Sequence, residues 1–391
     1  MLSWRPVDDP IERARGIAAD PVGTARDVKA RTGRPVVGMV SSWVPDAIVL
    51  AAGGIPLRLP AVSGRRTTRA GAHFQSSSCH YARGVLEMGL DGTLDFVDAI
   101  FFVQSCDTQQ NLSDIWKAAV PRIPAVDLYM PVNRRSASAR AYLLAEIERA
   151  GAEIGRITGT PVAPGALDAA LEERAGVEGA MADLYEARLE CAGRVRAESF
   201  HAACIASSCL PPAEARPIVE AAAGAVRSGG IVEPVGSPDI ACALLGSVIP
   251  FPGMFRLLDV LEVPVRDDDL SLGRRLFDHP VPAAGEPFER LAVSLLERSP
   301  GATKHDEGMD RGERVVEMAR RARAKHVVLP ILKFCDPWAW EVPRVRAKLA
   351  RAGIGMLLVE IGGEEDMTTG PVRTRVEAYF EMDRVGDLFD A

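Results

Sequence analysis

The chain has 391 residues, which bounds it to roughly two or three domains with sizeable cores. A hydrophobic fraction of 47% and a charged fraction of 25% are those of an ordinary soluble globular protein. A formal net charge of −7 and the lack of any basic run argue against a nucleic-acid surface, and no apolar stretch approaches the roughly 18 residues of a membrane span.

The N-terminus, MLSWRPVDDPIERARG, is charged from the start and shows no apolar signal region, so a cytoplasmic location is expected. Residues 35–42 (PVVGMVSS) read as a buried strand. Residues 45–53 read as a helix opened by proline and stopped by glycine, and Ile55 to Leu59 as a second strand. Ser76, Ser77 and Ser78, potential helix caps, precede Cys79 and the helical pattern YARGVLEMG. Strands follow at 97–103 and 123–129, and a helix at 137–151. From about 166 to 228 the chain is rich in Ala, Glu and Arg and reads as helical. Strand returns at Ile240 to Leu245. The segment EVPVRDDD is a strand ending in Asp267, Asp268 and Asp269, read as an exposed turn in preference to a cation site. Residues 277–287 are loop-like, the sheet pattern resumes at 326, and a helix closes the chain from about 371 to 383.

Alternating strands and helices at both ends predict an α/β fold: two parallel-sheet, Rossmann- or flavodoxin-like lobes with a helical insert. The expected division is 1–165, 166–234 and 235–391.

One pattern repeats. VDAIFFVQSCDT and AKHVVLPILKFCDPW each end an apolar strand in Cys-Asp, at Cys106-Asp107 and Cys335-Asp336, and each is followed by an amphipathic stretch and another strand. The carboxyl edge of a parallel sheet is where ligands bind. Two thiols placed alike in two lobes could face each other across a cleft and hold a soft group such as iron–sulfur. The other reading is that they pack as small buried residues.

Seven cysteines, an odd number, do not suggest a disulfide framework and are expected to be reduced. Cys79 lies at a helix start, where unpaired N–H groups and the helix dipole favour a thiolate. Cys204 and Cys209 resemble a metal spacing, yet five residues along a helix turn the two thiols about 140° apart. They read as packing residues, as do Cys191 and Cys242. No G-x-x-x-x-G-K-[ST], G-x-G-x-x-G or H-E-x-x-H occurs.

The segments GMVSSWVPDAIVLAAGGIPLRL, HFQSSSCHYARGVLEMGL, DFVDAIFFVQSCDTQQNLSDIWKAAVP, VRDDDLSLGRRLF, LPILKFCDPWAWEVP and GPVRTRVEAYFEMD together cover most of the chain. Their series resembles the 2-hydroxyacyl-CoA dehydratase and benzoyl-CoA reductase family, nearest in texture to the smaller cluster-bearing subunit of ATP-dependent benzoyl-CoA reductases. The resemblance implies one 4Fe-4S cluster between the lobes, held by Cys79, Cys106 and Cys335. Three protein sulfurs on four irons leave one iron open to a substrate oxygen. The implied reaction is one-electron reduction of an acyl-CoA thioester to a ketyl-type radical. The implied partners are a homologous cluster-bearing subunit in a heteromer and an ATP-hydrolysing iron–sulfur activator, which fits the missing nucleotide loop. Ser41 and Ser42, at the end of the first strand, are candidates for hydrogen bonds to the substrate, or are simple turn residues. A non-catalytic electron-relay or scaffold subunit, and a cluster-free α/β protein, are the alternatives. The chain departs from the family pattern at Asp46-Ala47, where acids often follow the opening proline. It departs again at Ser271, where a cysteine often stands, and at Ser299-Pro300, where Cys-Pro often stands.

Overall fold

The computed structural model describes residues 9–59, 67–191, 195–228, 236, 240–249, 252–304, 306–363, 365–368 and 370–389. Residues 1–8, the end of the expected helical middle from 229 to 234, and residues 250 and 251 before the short helix Gly253–Val260 lie outside these.

Among the described residues, eight strands form two sheets. β1 (Val36–Val40), β2 (Ile55–Arg58), β3 (Ala99–Val103) and β4 (Ala125–Leu128) make one, in the order β2-β1-β3-β4. β5 (Cys242–Leu245), β6 (Val265–Asp269), β7 (His326–Leu332) and β8 (Gly355–Ile361) make the other, in the order β6-β5-β7-β8. Every pairing is parallel. The chain is therefore α/β, with one topology built twice.

Parallel strands covered by helices on both faces need apolar residues at successive positions. β1 (VVGMV), β3 (AIFFV) and β7 (HVVLPIL) are buried at every residue. Within β1, a Cβ on Gly38 would fall 2.5 Å from Ile100 Cδ1, so glycine leaves the room that the Ile100 side chain of β3 fills. Pro330 in β7 cannot donate to a ladder; it lies beyond the stretch of β7 that pairs with β5, where no partner needs its N–H.

The middle of the chain is helical, with helices Pro164–Glu190, Ala197–Cys209 and Pro212–Ser228. The 27-residue first helix buries two arginines, Arg174 and Arg188, which serve different sheets. Arg174 Nε lies 3.2 Å from Asp46, on the helix after β1, and Arg188 Nη2 lies 3.0 Å from Asp268, in β6. Two N-terminal helices not anticipated from the sequence, Pro10–Ala19 and Pro21–Thr32, pack near helix Ala197–Cys209. Each is capped by an aspartate: Asp9 accepts from Ile11 N at 2.9 Å and Asp20 from Gly23 N at 2.8 Å.

Two expectations are corrected. The helix expected to end at Gly151 runs on from Ala139 to Thr158 and stops at Gly159, whose φ of 78° is left-handed. Gly155 is needed there, since a Cβ would fall 2.9 Å from the Thr160 carbonyl oxygen. The second correction concerns the three consecutive aspartates, which are neither an exposed turn nor a cation site. Asp267, Asp268 and Asp269 are buried within β6, and arginines meet each of them. Arg274 lies 2.7 Å and Arg321 2.6 Å from Asp267, Arg188 3.0 Å from Asp268, and Arg275 2.6 Å from Asp269. The Tyr185 hydroxyl also donates to Asp268 at 3.0 Å.

Candidate functional site

Cys79, Cys106 and Cys335 occupy the same structural position three times. Each is the residue capping the start of a helix: His80–Leu90, Asp107–Ala119 and Asp336–Arg351 respectively. Cys106 follows β3 and Cys335 follows β7, the third strand of each sheet. In a sheet of order 2-1-3-4 the carboxyl ends of the first and third strands flank the crevice where the winding reverses. Cys79 itself caps its helix; Ser76, Ser77 and Ser78 form the turn before it.

The three thiols are electrostatic neighbours. Burial raises the Cys79 thiol to about 11, and Cys106 adds to the rise, while the N–H groups of Ala82 and Tyr81 pull the other way. Burial raises Cys335 to about 12, with Cys79 and Cys106 both contributing and the Trp338 N–H opposing. Burial also raises Cys106, against the N–H groups of Gln109 and Thr108. Here desolvation outweighs the helix-terminus effect expected from the sequence. Left alone, three such thiols stay protonated; a cationic metal centre among them would deprotonate them.

Among the described residues, no three His, Cys, Asp or Glu side chains are placed to hold a single metal ion. A cubane makes a different demand, because each thiolate binds a separate iron. The donor chemistry fits such a group: soft sulfur only, half-buried, with N–H groups and three helix N-termini facing negative charge. Three of the other cysteines differ from this set. Cys204, Cys209 and Cys242 are fully buried, each raised by that burial to about 12. Cys209 Sγ donates to the Arg58 carbonyl at 3.4 Å, and Cys204 lies 3.9 Å from the Tyr185 hydroxyl.

Ser41 and Ser42 form the turn after β1. Ser41 has a φ of 97°, a conformation that costs a residue with a side chain about 1–3 kcal/mol unless its surroundings impose it. They do impose it. Arg58, closing β2, donates to the carbonyls of Ser41 and Val44, the latter at 3.0 Å, and Arg298 donates to the Ser42 carbonyl at 2.6 Å. The Ser41 hydroxyl accepts from Trp43 N at 3.2 Å. Tyr81, two residues after Cys79, lies between the turn and that cysteine: its hydroxyl donates to the Leu59 carbonyl at 2.8 Å, and the Ser41 N–H and the Cys79 thiol both face it. A second strained residue, Phe334 at φ 68°, immediately precedes Cys335.

Beneath the Ser41 turn lies a charged network that sequence reasoning missed. Asp46 is 3.2 Å from Arg174 and 3.9 Å from Arg58, and Glu178 is 3.7 Å from Arg174. The available signal was a single arginine ending the otherwise apolar strand IPLR. Burial raises Glu178 from 4.5 to about 6, with Arg174 opposing the shift and Asp46 adding to it. Because its folded-state pKa lies above the unfolded value, Glu178 stabilises the fold only while protonated. Stability should therefore fall as pH rises through about 4.5 to 6. Glu178→Gln should remove that fall and gain about 1–2 kcal/mol at pH 7, read from urea midpoints across the range.

The likeness to known proteins spans most of the chain. The family model for the 2-hydroxyglutaryl-CoA dehydratase D-component matches residues 41–382, and the chain belongs to that family. It is similar to the beta subunit of lactoyl-CoA dehydratase from Anaerotignum propionicum, 23% identical over 376 residues, covering 95% of this chain and 98% of the relative. A benzoyl-CoA reductase polypeptide of Thauera aromatica is 26% identical over 321 residues, covering 81% of this chain and 82% of the relative. The beta subunit of (R)-2-hydroxyglutaryl-CoA dehydratase from Acidaminococcus fermentans is 24% identical, covering 95% and 98%. These relatives are subunits of acyl-CoA dehydratases and of a reductase. No described helix is long and apolar enough to cross a membrane.

Proposed function

We propose that the chain is the 4Fe-4S subunit of a heteromeric acyl-CoA reductase or dehydratase, working with a homologous cluster-bearing subunit and an ATP-hydrolysing iron–sulfur activator. Cys79, Cys106 and Cys335 each hold one iron, at the crevice between lobes 1–165 and 235–391, with the helical segment 166–234 bridging them. The observation that carries the reading is the convergence of three electrostatically coupled cysteines, each capping a helix.

When bound, such a cluster would supply a single low-potential electron for reduction of the thioester carbonyl. The chain's own residues do the rest. The thiolates bind iron, and the N–H groups of Tyr81, Ala82, Thr108, Gln109 and Trp338 stabilise the charge on sulfur. Arg58 and Arg298 hold the Ser41–Ser42 turn, aiming its polar groups at the crevice, where they orient the thioester. The absence of a nucleotide loop fits an energy input from the activator.

A second reading, electron relay without substrate chemistry, is favoured by the turn itself. Ser42 is only 6% exposed, and the Ser41 hydroxyl is engaged with its own backbone. Ser41→Ala and Ser42→Ala separate the two readings. In the co-expressed complex, assayed with activator over a panel of aryl- and 2-hydroxyacyl-CoA thioesters, substrate contact requires a fall in turnover and relay predicts none. Anaerobic purification with iron and sulfide assay and an EPR spectrum tests the shared premise; a colourless, iron-free protein overturns both.

A further inference from the structure

We infer that Lys304 is a positioning residue for the group held at Cys106: its ammonium supplies the counter-charge at that corner and so sets how readily an electron is accepted there. The inference rests on the cluster reading above.

Lys304 belongs to a strap between helix Pro287–Glu297 and helix Arg311–Arg321, described at residues 298–304 and 306–310. The strap is pinned on both sides of Lys304. Arg311 donates to the carbonyls of Gly301 and Lys304, the latter at 3.2 Å. Asp306, whose side chain is 0% exposed, meets Arg134 at 3.2 Å and Arg135 at 3.1 Å. Arg134 in turn donates to the carbonyls of Leu296 and Arg298. The position of the lysine is thus imposed by its neighbours.

From there its Nζ donates to the Gln104 carbonyl at 3.1 Å, two residues before Cys106. That carbonyl is itself fixed: Gln104 N donates to Leu128 O at 3.0 Å, and its side-chain amide donates to Asp127 at 2.8 Å. One carbonyl uses one of three ammonium hydrogens. Among the described residues, no carboxylate comes within ion-pair reach of Lys304. The charged groups that act on it are Cys106, which sustains its charge, and Arg134, which opposes it; burial is the larger penalty. A half-buried ammonium with a neutral partner and a cation nearby is costly. An anionic group at Cys106 removes that cost, and thiolate-bound iron–sulfur carries net negative charge. Charge compensation of this kind favours the reduced state.

The test is a mediated redox titration followed by EPR on the full chain, purified anaerobically with its co-expressed partner, comparing wild type with Lys304→Met and Lys304→Arg. Lys304→Met should keep its iron and lower the reduced-to-oxidised ratio at the wild-type midpoint by about tenfold, equivalent to about 59 mV for one electron. Lys304→Arg should restore most of the shift. A fully loaded Met variant with the wild-type midpoint overturns the inference. If the Met variant has native circular dichroism and loads no iron while the Arg variant loads fully, the charge role stands. Equal loss in both overturns it. An unchanged midpoint with weakened acyl-CoA binding assigns Lys304 to substrate and also overturns it. Iron-free wild-type protein instead removes the cluster reading beneath it.

Discussion

Cys335→Ser is expected to leave the anaerobically purified chain nearly free of iron, from about four atoms per chain to below about one. Cys209→Ser is expected to leave the iron in place. A serine hydroxyl is a harder, far less acidic donor than a thiol and is a poor partner for an iron–sulfur group. Cys335 follows β7 in the second sheet, and the two sulfurs coupled to it come from the first lobe. Its loss removes the only proposed ligand from that side. Cys209 differs in kind. Its sulfur is buried and donates to the Arg58 carbonyl, a bond a serine hydroxyl makes equally well. Full iron in both variants, by assay and EPR, would sink the ligand assignment.

Asp267→Asn should cost about 3–5 kcal/mol of stability at pH 7, the usual effect of breaking a buried ion pair. Burial alone would raise the pKa of Asp267. The guanidinium groups of Arg274, Arg188 and Arg321 overcome that and hold it below the ordinary range. The amide leaves Arg188, 5% exposed, and Arg274, 19% exposed, without their shared carboxylate. Arg321 is 48% exposed, so water screens it and its share is small. A depressed carboxylate contributes stability that is present above its unfolded pKa and lost as pH falls. The gap between variant and parent in urea midpoint should therefore narrow below about pH 4. A constant gap across that range would show that the loss comes from packing instead of charge.

The aspartate triplet also shows where sequence reasoning stops. DDD reads locally as a solvated turn. The arginines that bury it come from positions 188, 274, 275 and 321, and no local pattern announces such a meeting. Lys304 is equally silent, sitting in a Gly/Pro-rich loop of ordinary composition. Strands, by contrast, were legible because double-sided burial writes itself as continuous apolar runs in β1, β3 and β7. Cys106 and Cys335 stood out because each interrupts the junction of such a run with a helix. That the two sheets share one strand order was hidden, since the second set of loops has different lengths and the inner strand CALL is only four residues long. The N-terminal helices were missed although both carry Asp-Pro starts.

Helix Pro164–Glu190 behaves as a ruler. Its two anchoring arginines are fourteen residues apart, close to four full turns and about 21 Å of rise, so both leave the rod on nearly the same side. One residue gained or lost between them would swing one anchor by about 100° and pull it from its aspartate. Its exposed side chains can vary so long as its length does not, and the gap between the two sheets is thereby measured out in whole turns.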